Sequence, residues 1–169
     1  IDEMVSNIQV TGNTTNFNGT GVTIGTMTGG TIENHRSNSN INHGLLFEGD
    51  MSGGTVRNNN STNATNTSMG FNNNGQDGIQ FATTAQLAGG QILNNTARGN
   101  GGVGFNFLGG MVSGVVDGNI AGGASDALVN GGDGFFFNGI SGNSFVTFNQ
   151  AVRNEGNGFQ VAGVFNTTG

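Results

Sequence analysis

Ten carboxylates are the side chains of this sequence that could act as acids, bases or cation ligands. Hydrolysis of a glycosidic bond needs two or three carboxylates at one site, and lyase chemistry on a polysaccharide needs calcium-binding acids with a basic residue that takes the proton. The chain has no lysine, so an arginine would have to take that proton. The carboxylates are Asp2, Glu3, Glu33, Glu48, Asp50, Asp77, Asp117, Asp126, Asp133 and Glu155.

Two histidines and one glycine-rich stretch are the other candidates for binding a metal ion. His35 and His43 stand eight residues apart, and no third ligand of a zinc site can be placed beside them. Gly101–Asn106 resembles half of a glycine-rich calcium-binding repeat, but Asn106 stands where the aspartate ligand belongs. We therefore predict a glycine corner there, and we assign no catalytic, cofactor-binding or metal-binding residue.

The elements that position these side chains follow from an internal repeat. A tetrapeptide of glycine, an apolar residue, any residue and a second apolar residue begins at Gly21, Gly44, Gly78, Gly104, Gly134 and Gly158. We call these the marker glycines. The alternation predicts a short β-strand after each of them. The last apolar residues are predicted to form one buried file: Ile24, Phe47, Phe81, Phe107, Phe137 and Val161.

A second apolar residue, the anchor, follows each of the first five marker glycines after 11 to 14 residues. The anchors are Ile32, Val56, Ile92, Val116 and Val146. Their spacing gives a repeat of 23–26 residues, with insertions of 10 and 6 residues that we expect to form loops at 61–77 and 121–133. Short strands at this period, with no helical stretch between them, predict stacked parallel strands rather than a βαβ fold.

Two more columns share this register. Three residues after the anchors stand His35, Asn59, Asn95, Asn119 and Asn149, which predict a ladder of side-chain amides along the stack. Five residues after the anchors stand Ser37, Ser61, Ala97, Ala121 and Ala151. These residues are all small, which suits a tight corner or a narrow inner position.

In this register the carboxylates fall at different positions of the repeat. Asp77 and Asp133 each precede a marker glycine, as Asn157 does, and this position predicts a turn residue. Glu48 and Asp50 lie close together, but the positions that we take as equivalent in the next repeat, Ala82 and Thr84, carry no acid.

Three charged residues are expected to share one exposed stripe. Glu33, Arg57 and Asp117 each follow an anchor directly. We interpret them as solvated residues with a weak ion pair.

Two stretches, 92–100 and 149–159, resemble the right-handed parallel β-helix repeat of the pectate-lyase-like superfamily and of bacterial surface solenoids such as autotransporter passengers. The resemblance implies an all-β, right-handed parallel β-helix of about six coils, forming a single domain over 1–169. Within it, 21–169 would hold the repeats and 1–20 an irregular first coil or a short cap, since Met4, Val5 and Ile8 have helix-like spacing. The scaffold hosts lyases, hydrolases, epimerases, tailspikes and adhesins, so it implies no single activity.

The composition limits the classes of molecule that the chain is expected to bind. The net charge of -6, without lysine, disfavours binding to nucleic acid or to anionic lipid, and no apolar run is long enough to span a membrane. The chain has no cysteine, which fits bacterial extracellular repeat proteins. We therefore expect an extracellular or cell-surface location.

Three functions fit these features. The first is a non-enzymatic structural or adhesive solenoid, with the end strands either continued by more coils or pairing end to end with another copy in a filament. The second is a β-helix that binds or cleaves a polysaccharide with the loops at 61–77 and 121–133. The third is a secreted or phage fibre module that trimerises laterally.

Overall fold

The computed structural model describes residues 4–59 and 70–163, and this part of the chain is all-β. Its strands are β1 (Met4–Val5), β2 (Ile8–Thr11), β3 (Thr14–Asn16), β4 (Val22–Ile24), β5 (Thr26–Met27), β6 (Gly30–Glu33), β7 (Arg36–Asn38), β8 (Leu45–Phe47), β9 (Thr55–Arg57), β10 (Ile79–Phe81), β11 (Gln91–Leu93), β12 (Thr96–Ala97), β13 (Phe105–Phe107), β14 (Met111–Val112), β15 (Val115–Asp117), β16 (Ile120–Gly122), β17 (Phe135–Phe137), β18 (Ile140–Ser141), β19 (Phe145–Thr147), β20 (Gln150–Val152) and β21 (Phe159–Val161). One turn of 3-10 helix spans Asp126–Leu128, and the described residues contain no α-helix.

Two six-stranded parallel sheets dominate the fold. The marker sheet contains the strands after the marker glycines, in the order β4, β8, β10, β13, β17, β21. The anchor sheet has the order β2, β6, β9, β11, β15, β19, and it pairs every anchor with the next one in the chain. This register confirms both predicted series, and the arrangement is compatible with a parallel β-solenoid.

Smaller parallel sheets lie between these two along the chain. Strands β3 and β7 pair with each other, and β12, β16 and β20 form a three-stranded sheet. Strands β1 and β5 pair, as do β14 and β18, and isolated bridges join Met27, Met51, Leu87 and Met111 in series. Every strand pairing among the described residues is therefore parallel.

The predicted apolar file is confirmed from Ile24 to Phe137, whose members are completely buried, whereas Val161 at its end is 40% exposed. Its ring centroids are 4.5, 5.1 and 4.9 Å apart along Phe47, Phe81, Phe107 and Phe137. A second file stands two residues earlier on each marker strand, and its rings are 4.8 and 4.7 Å apart along Phe105, Phe135 and Phe159. Each stacked pair adds about 0.5–1.5 kcal/mol beyond the burial of its area.

Close packing against the next repeat explains the marker glycines. A Cβ at Gly104 would lie 2.7 Å from the Gly134 carbonyl oxygen, 2.9 Å from Ala121 Cβ and 3.0 Å from Asn130 Nδ2. Gly78 is enclosed in the same way, 2.7 Å from the Gly104 carbonyl oxygen. The position therefore admits no side chain, and it faces the column of small residues.

Of the two expectations for 1–20, an irregular first coil or a short cap, the helical turns suggested by the spacing of Met4, Val5 and Ile8 are not formed, since strands occupy Met4–Val5 and Ile8–Thr11. Strand β1 pairs with β5 from Met4 to Thr26, and β2 pairs with β6. Ile8 and Val10 alternate along β2 and pack against the core, with Val10 beside Ile32. Three apolar residues at helical spacing do not outweigh the parallel pairing that this alternation permits.

One member of the column of small residues was predicted incorrectly. Ser61 lies outside the described residues, and Phe71 occupies the position that it was expected to fill. Ser37 N donates to the Gly70 carbonyl and Phe71 N donates to the Thr96 carbonyl, so Phe71 follows Ser37 in register. Counting five residues from the anchor fails here because the ten-residue insertion falls before this column rather than after it.

Parts of both ranges predicted as loops, 61–77 and 121–133, are bonded to neighbouring repeats. Residues 60–69 lie outside the described part, but 70–77 are hydrogen bonded to neighbouring repeats, for example from Gly75 N to the Asn40 carbonyl. In the second case Gly122 pairs with Val152, and Asn130 Nδ2 donates to Asn154 Oδ1. Because seven residues separate Gly122 from Asn130 and one separates their partners, the six extra residues fall within 123–129.

Candidate functional site

The predicted amide ladder is confirmed by buried hydrogen bonds. Each Nδ2 donates to the Oδ1 of the next asparagine, at 2.9, 3.0 and 2.9 Å along Asn59, Asn95, Asn119 and Asn149. Each backbone N–H in the series also donates to the next Oδ1, beginning with His35 N to Asn59 Oδ1 at 2.8 Å. The asparagines therefore tie each repeat to the next twice.

A second ladder was missed by the sequence reasoning. Its Nδ2 to Oδ1 distances are 3.0, 3.0, 3.0 and 2.8 Å along Asn40, Asn74, Asn100, Asn130 and Asn154. These asparagines stand four residues before the last five marker glycines. That spacing was the available signal, but the high asparagine content hid it.

His35 is a buried member of the first polar column. Its Nε2 lies 3.2 Å from Thr15 Oγ1, and its Nδ1 has no hydrogen-bond partner. Burial lowers the pKa of His35 from 6.5 to about 4, because the charged ring would lose its hydration. The ring is therefore neutral at physiological pH.

A histidine and a carboxylate meet at the corner before the marker sheet. His43 Nδ1 lies 3.7 Å from Asp77 Oδ2, and both side chains are almost completely buried. Asp77 N donates to His43 Nδ1 at 3.3 Å, so the neutral ring carries its proton on Nε2. Burial lowers the pKa of His43, and the negative charge of Asp77 opposes that shift.

The Asp77 carboxylate is used in hydrogen bonds to the next repeat. Its Oδ1 accepts from Val103 N at 2.7 Å and its Oδ2 accepts from Asn106 Nδ2 at 2.9 Å. Asp133, two repeats further along, bonds in the same way, since its Oδ1 accepts from Asn157 N at 2.6 Å. These contacts connect each aspartate to the next repeat, and the turn role expected for both residues stays a prediction.

The exposed charged stripe has the expected ion pair. Arg57 Nε donates to Glu33 Oε2 at 2.9 Å, with the arginine side chain half-exposed. Asp117 is separated from Arg57 by Leu93 in the register, and it accepts from Thr147 Oγ1 instead. A surface pair of this kind contributes little to stability, roughly 0–1 kcal/mol.

Glu48 and Asp50 are exposed, and one equivalence assumed for them is wrong. Gln86 N donates to Asp50 Oδ1 at 2.8 Å, so Gln86 rather than Thr84 is the residue in register with Asp50. The corner after Phe81 is two residues longer than its counterpart in the preceding repeat.

Two arginines and a threonine on one outer face have buried polar atoms without partners. We call Arg36, Thr96 and Arg98 the arginine cluster. The atoms are Nε of Arg36, Oγ1 of Thr96, and Nε and Nη1 of Arg98. Arg98 is 5% exposed, and burial lowers its pKa. Composition alone could not reveal this cluster, because nothing in the sequence marks one arginine as buried.

The described residues hold no group of three or more histidine, cysteine, aspartate or glutamate side chains placed to bind a metal ion. Over the same residues, no helix is both long and apolar enough to cross a bilayer.

No protein-family model matches this chain, and no curated protein or solved structure that was compared with it does so. The resemblance to the pectate-lyase-like superfamily therefore stays a prediction.

Proposed function

We propose that the chain is a structural segment of an extracellular or cell-surface β-solenoid, a stalk or filament wound as a right-handed parallel β-helix of about six coils. The handedness follows from the general rule that a crossover between parallel strands of one sheet is almost always right-handed. The six strands of the marker sheet support the number of coils that we propose.

The observation that carries this proposal is the axial use of polar side chains. Two asparagine ladders run from repeat to repeat inside the chain, and Asp77 and Asp133 add hydrogen bonds in the same direction. In a solenoid each repeat contacts only its neighbours, so such bonds determine how firmly the repeats hold together. Buried, repeated axial bonding suits a rigid spacer.

Growth by end-to-end addition is part of the proposal. On β21 the inward residues Phe159 and Val161 are 47% and 40% exposed, whereas their register partners Phe135 and Phe137 are completely buried. A further repeat laid on β21, from the same polypeptide or from a second copy, would bury them, and we propose that in a filament a second copy supplies it. Head-to-tail contacts of this kind do not close, so they produce fibres.

A pair of matched variants tests the filament. Val161→Asp places a charge on the inward side of β21, and Gln160→Asp places the same charge on its outward side. We expect the wild-type chain and Gln160→Asp to form rods at high concentration in electron micrographs, and Val161→Asp to remain monomeric in sedimentation. Dispersed wild-type monomers at every concentration, or rods formed equally well by Val161→Asp, would contradict end-to-end assembly.

Polysaccharide binding is the second candidate, favoured by the exposed residues 124–127 of the second insertion. Incubation with a polysaccharide panel, with and without calcium, separates the two functions. New reducing ends or unsaturated products would indicate cleavage, retention without products would indicate binding, and neither is expected from a purely structural segment.

A further inference from the structure

The arginine cluster lies on the outer face of the strands that carry the small column. Gly70 pairs with Arg36 on one side, and on the other side Phe71 N donates to the Thr96 carbonyl, so a glycine separates Arg36 from Thr96 in the register. Thr96 and Arg98 flank Ala97, which faces the core, so their side chains point outward together.

A second glycine flanks the cluster on its other side. Ala97 pairs with Ala121, which places Gly122 beside Arg98. The following turn folds back toward this point, since a Cβ at Gly99 would lie 2.6 Å from the Ala127 carbonyl oxygen. In the register, Gly70 thus lies between Arg36 and Thr96, and Gly122 lies beside Arg98. On the other sides Thr96 has Ile120 and Arg98 has Asn72, whose Oδ1 accepts from Arg98 N at 3.0 Å.

No carboxylate of the described residues neutralises Arg98. Asp126, in the adjacent turn, forms an ion pair with Arg153, and its side chain is 93% exposed. The inserted residues 60–69 contain no aspartate or glutamate. A buried guanidinium without a counter-charge is strongly destabilising, whereas one that is paired and hydrogen bonded is tolerated.

We infer that the arginine cluster is a binding site for a small oxyanion, with Arg98 as the principal ligand and Arg36 and Thr96 as additional donors. A guanidinium presents planar N–H donors that match the oxygens of carboxylate, sulfate and phosphate groups. This site is independent of whether the chain forms filaments. The shared chemistry allows two sources, an inorganic anion or the acidic group of a sugar.

Calorimetric titration and thermal unfolding of the wild-type chain test the site. The probes are sodium sulfate, sodium phosphate and sodium galacturonate, each compared with sodium chloride at matched ionic strength. We expect at least one probe to bind saturably and to raise Tm with concentration, as a ligand of the native state must. A preference for galacturonate would identify a sugar acid, and a preference for sulfate or phosphate an inorganic anion. Absence of saturable binding by all three would overturn the inference.

Three variants locate the binding. Arg98→Met keeps an unbranched side chain without charge and should weaken binding by about tenfold or more, as expected for loss of hydrogen bonds to a charged group. Arg153→Met removes an exposed arginine of the same chain and should bind like the wild type. If Arg98→Met does not fold, Arg98→Gln replaces it. Unchanged affinity in the Arg98 variant would overturn the site.

The variant Asp126→Asn tests whether Asp126 is the counter-ion of Arg98. Unchanged anion binding in this variant is expected, because Asp126 pairs with Arg153 rather than with Arg98. Anion binding that appears only in Asp126→Asn would mean that Asp126 neutralises Arg98 in solution, and the inference would be wrong.

Discussion

Replacing the central asparagine of the first ladder should destabilise the chain severely. Asn95 is completely buried, and its Nδ2 donates to the Val56 carbonyl at 2.9 Å and to Asn119 Oδ1 at 3.0 Å. Its Oδ1 accepts from Asn59 Nδ2 at 2.9 Å and from Asn59 N at 3.2 Å. Asn95→Ala removes all four bonds and leaves their partners buried. At roughly 1 kcal/mol for each bond, we expect a loss of about 4 kcal/mol.

Urea unfolding followed by circular dichroism measures this loss as a change in the free energy of unfolding. Asn138→Ala is the matched control, since Asn138 is exposed and donates one hydrogen bond, to the Leu108 carbonyl at 2.9 Å. We expect the control to lose less than about 1 kcal/mol. The slope of the free energy against urea should stay unchanged if both variants keep the native surface.

The reasoning would be refuted if Asn95→Ala lost no more stability than Asn138→Ala. That result would mean that the buried amides are as well hydrogen bonded in the unfolded chain as in the ladder. The axial bonds could then not be the source of rigidity on which the proposed function rests.

Two further predictions follow from the packing and from the histidine. Gly104→Ala should lower the free energy of unfolding by about 1–3 kcal/mol, because its Cβ would lie 2.7 Å from the Gly134 carbonyl oxygen, whereas Gly19→Ala, with nothing within 4 Å, should be nearly neutral in the same thermal or urea unfolding assay. His35 has a native pKa of about 4, below its unfolded value of 6.5, so its contribution to stability is complete above pH 6.5 and is lost as the pH falls toward 4. We therefore expect His35→Asn to gain about 3 kcal/mol over the wild type between about pH 7 and pH 4, and a constant difference across that range would contradict a neutral buried ring.

The register of the two main sheets could be predicted because the apolar alternation and the marker glycines leave few alternatives. Because Gly104 tolerates no side chain and Phe107 must face the core, these two positions determine how each repeat aligns with the next. The first asparagine ladder followed from the same count. The ten-residue insertion interrupted the count before Phe71, and the longer corner after Phe81 interrupted it before Gln86, so neither residue was placed correctly.

The arginine cluster was beyond sequence reasoning for a different reason. Arg98 follows Ala97 of the predicted column of small residues, a position that does not distinguish it from a surface residue, and its burial depends on how the chain folds over the outer face. The contact between His43 and Asp77 had a clearer signal, because both residues precede a marker glycine and stand in adjacent repeats.

Stacking of the repeats in chain order is the central claim, and one distance tests it. Between Thr23 and Gln160 the register passes through five parallel pairings, each separated by about 4.8 Å. The chain has no cysteine, so spin labels on Thr23→Cys and Gln160→Cys are the only ones present. Pulsed electron spin resonance should give one narrow distribution, with the two Cα atoms about 24 Å apart. A broad distribution beyond about 40 Å, as an unstacked chain would give, would contradict the account.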